Sequence, residues 1–229
     1  DSELGQIASD HSLEVARAYS RRKGILKGKD LARMFAWMRP NDLIWNYVVN
    51  NYLLGEDPPP FDILFWNNDS TNLTAQLHSD YLDIGLNQPF DHPGEFDVAG
   101  HPLDLSKVTA DAFVVGGMTD HITPWKACYR TLGLLGSQNV EFVLSSSGHI
   151  QSLLNPPGNP KARMFRNGER PSEPEAWLAG AREETGSWWP VWGAWLKARS
   201  GALKTAPEAC GSDAFPPLYE APGRYVFDE

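Results

Sequence analysis

With 229 residues, 41% hydrophobic and 21% charged, the chain has the size and composition of one or two compact globular units with a real core. A net charge of −9 argues against a nucleic-acid partner, since phosphate binding needs clustered Lys and Arg. No uncharged apolar run of about 18 residues occurs, so no transmembrane helix is expected; the first residues carry no signal-peptide pattern, and two widely spaced cysteines fit a reducing compartment.

Residues 1–30 begin acidic and turn basic at Arg21, Arg22, Lys23, Lys27 and Lys29, a cluster that reads first as a solvated face. Leu13, Val15, Ala16 and Tyr19 are placed to line one helical face, and Gly24 and Gly28 mark a turn. Asp30 is a plausible N-cap for a helix carrying Leu31, Met34, Phe35 and Met38, which Arg39 and Pro40 close. Asn41 and Asp42 start another helix, wrapped by Leu43, Trp45, Tyr47, Val48, Tyr52 and Leu53; apolar on so many sides, it is expected to be buried or covered by a partner. Residues 55–60 form a break, 61–66 lead into a polar turn at 67–72, and 73–86 read as a helix with His78 and Tyr81. Residues 1–92 thus form a helix-rich, aromatic-rich layer with no sheet. Trp45, Trp66 and Tyr81 are read as packing and His78 as a satisfied polar group; no metal-ligand spacing joins it to another histidine.

The turn residues Asp91, His92, Pro93 and Gly94 make the best internal boundary, with residues 93–229 beyond it. Residues 96–99 and 103–105 read as an edge hairpin entering the core sheet. Residues 112–116 suit a buried strand; Pro124 sits in a helical first turn, a helix runs over 125–135 with Gly136 placed to end it, and 140–144 make a second strand. Two strands joined by one helix are most simply parallel, so Asp120 and His149 would emerge at one sheet edge, the carboxyl edge where open α/β folds place their sites. After His149, residues 155–160 (N-P-P-G-N-P) exclude a helix, Lys161, Arg163 and Arg166 form a second basic group, and 174–182 read as a short helix. Ser187 caps a last helix over 188–199, whose Trp188, Val191, Trp192 and Trp195 share a face that reads as core.

An acid followed by a histidine in this arrangement matches the last two members of a nucleophile–acid–histidine triad. The plainer reading is that Asp120 caps its turn and His149 is an ordinary loop histidine. No Ser or Cys before Asp120 stands in a G-x-S-x-G-type frame. Cys128 falls inside the 125–135 helix, where a small buried hydrophobe is expected, and Cys210 reads as an incidental thiol.

Five blocks carry a resemblance: R-P-N-D-L-I-W-N-Y-V-V-N-N-Y-L at 39–53, P-F-D-I-L-F-W-N at 60–67, D-H-I-T-P-W at 120–125, S-G-H-I at 147–150 and G-S-W-W-P at 186–190. In this order they resemble the polyhydroxyalkanoate synthases, and A-P-G-R-Y-V at 221–226 resembles the ending of the class I enzymes. The resemblance implies an α/β fold: the C-terminal portion of an α/β-hydrolase, preceded by a helix-rich cap over residues 1–92 that contributes to a homodimer. It implies a cytoplasmic, granule-associated acyltransferase that uses no cofactor and turns (R)-3-hydroxyacyl-CoA, with 3-hydroxybutyryl-CoA as the expected short-chain monomer, into polyester and free CoA. Asp120 and His149 match the family's acid and histidine, while its nucleophilic cysteine box is expected N-terminal to Asp1. His121 is a candidate substrate contact. Lys161, Arg163 and Arg166 are candidates for the CoA phosphates, and the 21–29 cluster is a weaker one. The competing readings are another α/β-hydrolase, such as an esterase or polyester depolymerase, and a non-catalytic polymer-surface module.

Overall fold

The computed structural model describes residues 9–38, 40–58, 69–221 and 223–224, without the side chains of Met38 and Asp42. Expectations for residues 59–68, including Trp66, and for residues 222, 225 and 226 of the 221–226 ending fall outside them. The chain divides into two compact units, Asp1–Trp189 and Pro190–Glu229.

Helix α1 (Asp10–Lys23) opens with a capping box in which Ser9 and Ser12 satisfy each other's backbone N–H groups. Its inward face differs from the expected one. Val15 and Tyr19 are exposed, and Arg17 and Ser20 point inward instead. They meet α3 (Ala75–Asn87), where Arg17 grips Asp83 with two hydrogen bonds of 2.7 and 3.2 Å and donates to Ser79 at 3.0 Å. His78 Nδ1 lies 3.0 Å from Ser20 Oγ, as a satisfied buried histidine does. Burial first, and then the Arg17 charge, push its pKa down. Short strands β1 (Ile25–Leu26) and β2 (Leu73–Thr74) pair antiparallel between these helices, so this part of the chain does contain a small sheet.

Helix α2 (Gly28–Met38) begins two residues before Asp30, so Asp30 is not its cap. Its carboxylate accepts instead from Tyr19 and Arg33. Two π-helical segments follow, Asn41–Trp45 and Val48–Leu53. Their apolar side chains are largely exposed, Tyr52 by 85%, so within this chain neither this segment nor Trp45 and Tyr81 form core.

Strands β3 (Asp97–Val98) and β4 (His101–Pro102) make a hairpin separate from the main sheet. Its two-residue turn is Ala99-Gly100, both at positive φ (53° and 81°), which matches the twist of a tight hairpin. The main sheet has the order β5-β6-β7-β8, with β5 Ala112–Gly117, β6 Val140–Ser145, β7 Arg163–Arg166 and β8 Arg182–Thr185. β5 and β6 are parallel in the register Gly117↔Ser145; β7 and β8 are added antiparallel. Both were missed in the sequence, and the 174–182 helix ends early as α6 (Pro174–Ala179), because Arg182 belongs to β8.

Helix α4 (Trp125–Leu134) crosses from β5 to β6, with Pro124 as its N-cap. Gly136 does not terminate it by a left-handed turn. A Cβ there would lie 1.8 Å from the Ser106 carbonyl oxygen, so backbone approach is what requires glycine. Against the α4 face of the sheet, Trp125, Tyr129, Phe142, Leu144 and Trp177 form an aromatic core. Phe142 meets Tyr129 and Trp177 edge-on, with ring centroids 5.1 and 4.8 Å apart, pairs that add roughly 0.5–1.5 kcal/mol each beyond burial. The opposite face carries α5 (His149–Leu153). The second unit holds most of α7 (Trp189–Lys197), where Arg199 stacks on Trp195 at 4.1 Å and Trp192 stays exposed.

Candidate active site

The parallel β5–β6 pair ends in two loops stitched to each other. The backbone N–H of Met118 donates to Ser145 O (2.8 Å) and that of Thr119 to Ser147 O (3.3 Å). Asp120 leaves the first loop, and His149 begins α5 at the end of the second. They meet at the carboxyl edge: His149 Nδ1 lies 2.9 Å from Asp120 Oδ2.

Asp120 both caps its own turn and bonds the imidazole, so the two readings of this residue describe one carboxylate. Oδ1 accepts from the N–H groups of Ile122 (2.9 Å) and Thr123 (2.8 Å), and Oδ2 accepts from the Thr123 hydroxyl (2.7 Å) as well as from His149. The side chain is only 6% exposed. Burial alone would raise its pKa; the hydrogen bonds from Thr123, His149 and Ile122 outweigh it and hold the group at about 2. The carboxylate is therefore charged at neutral pH. A carboxylate can only accept, so the shared proton belongs to His149 Nδ1, and in a neutral ring the lone pair is then on Nε2. With 34% of its side chain exposed, the ring is open to a reacting group.

The helix that carries His149 has five residues, too few to hold itself. Ser152 anchors it from within, its hydroxyl donating to Ser147 O and its N–H to Gly148 O, both at 2.8 Å. Gly117 lies beneath, where a Cβ would come within 2.4 Å of Ser152 Oγ. The trailing carbonyls are met from G-S-W-W-P: Trp188 Nε1 donates to Ser152 O (2.7 Å), Trp189 Nε1 to Leu153 O (2.9 Å), and the Ser187 hydroxyl to Asn155 O. From the sequence, Trp188 read as core, Thr123 stood only within the D-H-I-T-P-W block, and Ser152 carried no reading. A threonine three residues after an acid, and a tryptophan pair after Gly-Ser, are the signals available for them, and both are weak.

His121 sits half-buried in the bend directly after Asp120. Lys161 is exposed before β7. The two arginines are engaged locally. Arg163 donates to the Pro160 and Ala162 carbonyls at 3.0 and 2.8 Å and lies 3.6 Å from Glu183. Arg166 pairs with Glu141 at 2.8 Å and Glu184 at 3.8 Å. Half-buried Cys128 packs against the aromatic core, and burial first, then the nearby Asp120 charge, push its thiol pKa up, away from a reactive thiolate. Cys210 is exposed. Among the described residues, no three His, Cys, Asp or Glu side chains gather as metal ligands, and no helix is long and apolar enough to cross a membrane.

No family model matches the chain. Individual proteins do. Poly(3-hydroxyalkanoate) polymerase 2 of Ectopseudomonas oleovorans is 53% identical over 226 residues, 99% of this chain and 40% of that protein. Poly(3-hydroxyalkanoate) polymerase 1 of the same organism is 48% identical over 228 residues, all of this chain and 41% of the relative. The poly(3-hydroxyalkanoate) polymerase subunit PhaC of Cupriavidus necator is 45% identical over 203 residues, 88% of this chain and 34% of the relative. The chain thus spans about two fifths or less of the length of these relatives. Relatives 45–53% identical over 88–100% of the chain place these 229 residues in the poly(3-hydroxyalkanoate) polymerase family.

Proposed function

We propose that these residues supply the acid and the histidine of a thiol-dependent acyltransferase that polymerises (R)-3-hydroxyacyl-CoA into polyester, the thiol coming from residues other than these 229. The observation that carries the reading is the 2.9 Å Asp120–His149 contact at the carboxyl edge of a parallel strand pair, in a chain of this family. The mixed sheet fits part of an α/β-hydrolase core. β5 is an edge strand of the described sheet, apolar along its length, and a parallel strand added beside it would bring its own carboxyl end, and a nucleophile turn, to the same rim.

A cysteine with an ordinary pKa of about 8.5 is mostly protonated at neutral pH. His149 Nε2 takes that proton, and Asp120 stabilises the imidazolium through Nδ1. The thiolate attacks the thioester carbonyl, the C–S bond to CoA breaks, and the imidazolium returns its proton to the departing CoA sulfur. In elongation the hydroxyl of a hydroxyacyl unit is the nucleophile: His149 takes its proton, it attacks the acyl–cysteine thioester to form the ester, the C–S bond breaks and the imidazolium protonates the freed cysteine sulfur. Being far less acidic than a thiol, the hydroxyl depends on the same base, an effect worth about 10²–10⁴-fold. His121 and Lys161 remain substrate-contact candidates; for Arg163 and Arg166, contact with CoA phosphates would require them to exchange their glutamates. Residues 1–92 are read as the cap and 93–229 as the core portion. The exposed apolar side chains of the π-helical segments support a homodimer contact on the cap, and the family supports a cytoplasmic enzyme at the polymer granule.

The test is a chimera in which these 229 residues replace the matching part of Ectopseudomonas oleovorans polymerase 2, assayed for CoA release with 3-hydroxybutyryl-CoA beside a medium-chain 3-hydroxyacyl-CoA. The chain alone is expected to release no CoA, the chimera to release it, and His149→Gln to abolish release. A His149→Gln chimera within threefold of its parent sinks the proposal.

A further inference from the structure

Resting on the acid–histidine reading, we infer that Trp188 is a positioning residue which sets His149 against Asp120. The argument starts from what Trp188 touches. Its ring stacks on Phe113, with centroids 6.2 Å apart and planes 29° from parallel. Phe113 belongs to β5, the strand that delivers Asp120. Its indole N–H donates at 2.7 Å to the carbonyl of Ser152, one turn along the helix that His149 begins. One buried side chain, 7% exposed, therefore joins the strand of the acid to the helix of the histidine.

The short helix makes this contact consequential. Its last carbonyls have no intrahelical partner and need donors. Trp188, Trp189 and Ser187 supply them to Ser152, Leu153 and Asn155 in turn. Trp188 also stacks on Phe113 of β5, so it couples the two loops rather than merely ending the helix. At the other end, Ser152 hangs from Ser147 O, and the missing Cβ of Gly117 is what lets Ser152 sit this close to β5. If the Ser152 carbonyl is released, α5 is free to tilt about its first turn. A displacement there is felt at the imidazole, whose bond to Asp120 is directional.

The experiment reads the imidazole itself, so it does not depend on polymerase activity, and the CoA-release assay can fail or succeed independently of it. In the 229-residue chain with ¹⁵N-labelled histidine, the solvent-exchange rate of the His149 Nδ1 proton is followed by NMR, and its loss in Asp120→Asn assigns it. Trp188→Phe keeps a ring against Phe113 but removes the indole N–H. Tyr129→Phe is the control, since it removes a comparable 2.6 Å bond to a carbonyl, that of Pro171, in the aromatic core. Trp188→Phe is expected to speed exchange at least tenfold, and Tyr129→Phe less than twofold, at similar losses of Tm. Should Trp188→Phe fail to fold, Phe113→Leu, which removes the ring that Trp188 stacks on, is expected to speed exchange two- to fivefold. Exchange in Trp188→Phe within twofold of the parent, or, where that variant does not fold, in Phe113→Leu, overturns the inference and leaves Trp188 a packing role.

Discussion

Replacing Asp120 with Asn separates the charge of this side chain from its shape. The native carboxylate is held at about 2, against an ordinary 3.8. At about 1.4 kcal/mol per pH unit, that difference corresponds to about 2.5 kcal/mol of folding stability near pH 7. The direction follows from a depressed pKa. The contribution is complete above the unfolded value near 4, fades as pH falls through the folded value near 2, and is gone below both. Asn keeps the oxygen that accepts from Ile122 and Thr123. Its amide, however, turns a donor toward His149 Nδ1. The imidazole then has to move its proton to Nε2, which removes the lone pair a base needs, a loss worth about 10⁴-fold in the serine-protease template. Urea unfolding of parent and Asp120→Asn chains at several pH values measures the first effect. The gap is expected at about 2.5 kcal/mol near pH 7, narrowing below about pH 5 and closing near pH 1–2. A gap below about 0.5 kcal/mol at pH 7 that does not change with pH would refute the claim that hydrogen bonds hold this group charged.

Other expectations follow from single contacts. Gly117→Ala places a Cβ 2.4 Å from Ser152 Oγ and 3.0 Å from Ser147 O, so overpacking should cost about 1–3 kcal/mol and lower Tm by several degrees in calorimetry; an unchanged Tm would mean that α5 yields freely. Iodoacetamide near pH 8 should modify exposed Cys210 at least tenfold faster than Cys128, as peptide mass mapping reads directly. Equal rates would show that burial does not suppress the Cys128 thiol.

The central strand–helix–strand unit was legible because its signals are local. An apolar β-rich run, a proline in place for a helix start and a second apolar run set the elements, and their parallel pairing brought Asp120 and His149 to one edge. The antiparallel strands were not legible. Arg163–Arg166 (R-M-F-R) and Arg182–Thr185 (R-E-E-T) lack an apolar alternation: β7 buries Met164 and packs Phe165 on the core between two arginines, β8 has no apolar residue, and pairing across the sheet and ion pairs such as Arg166–Glu141 add to their stability. The hairpin at 97–102 was placed in the wrong sheet because a tight turn specifies pairing within the hairpin but not with its neighbours. On α1, the expected apolar face lost to Arg17 and Ser20, whose hydrogen bonds to α3 outweigh the pattern of Val15 and Tyr19. Helical periodicity carries no trace of such a polar contact.

The two faces of the main sheet do different work. On the α4 side, an aromatic cluster around fully buried Trp177 fixes β5 and β6 relative to each other by close packing. On the other side, α5 is held by hydroxyl, carbonyl and indole groups, each bond modest in net stability but strict in direction. Apolar packing sets how far apart the strand ends stand. Directional bonds set where His149 points. A substitution in the core therefore lowers stability while the strand ends keep their register, whereas one beneath or behind α5 disturbs the Asp120–His149 bond as well. That division lets a five-residue helix hold an imidazole in a directional bond to a buried carboxylate.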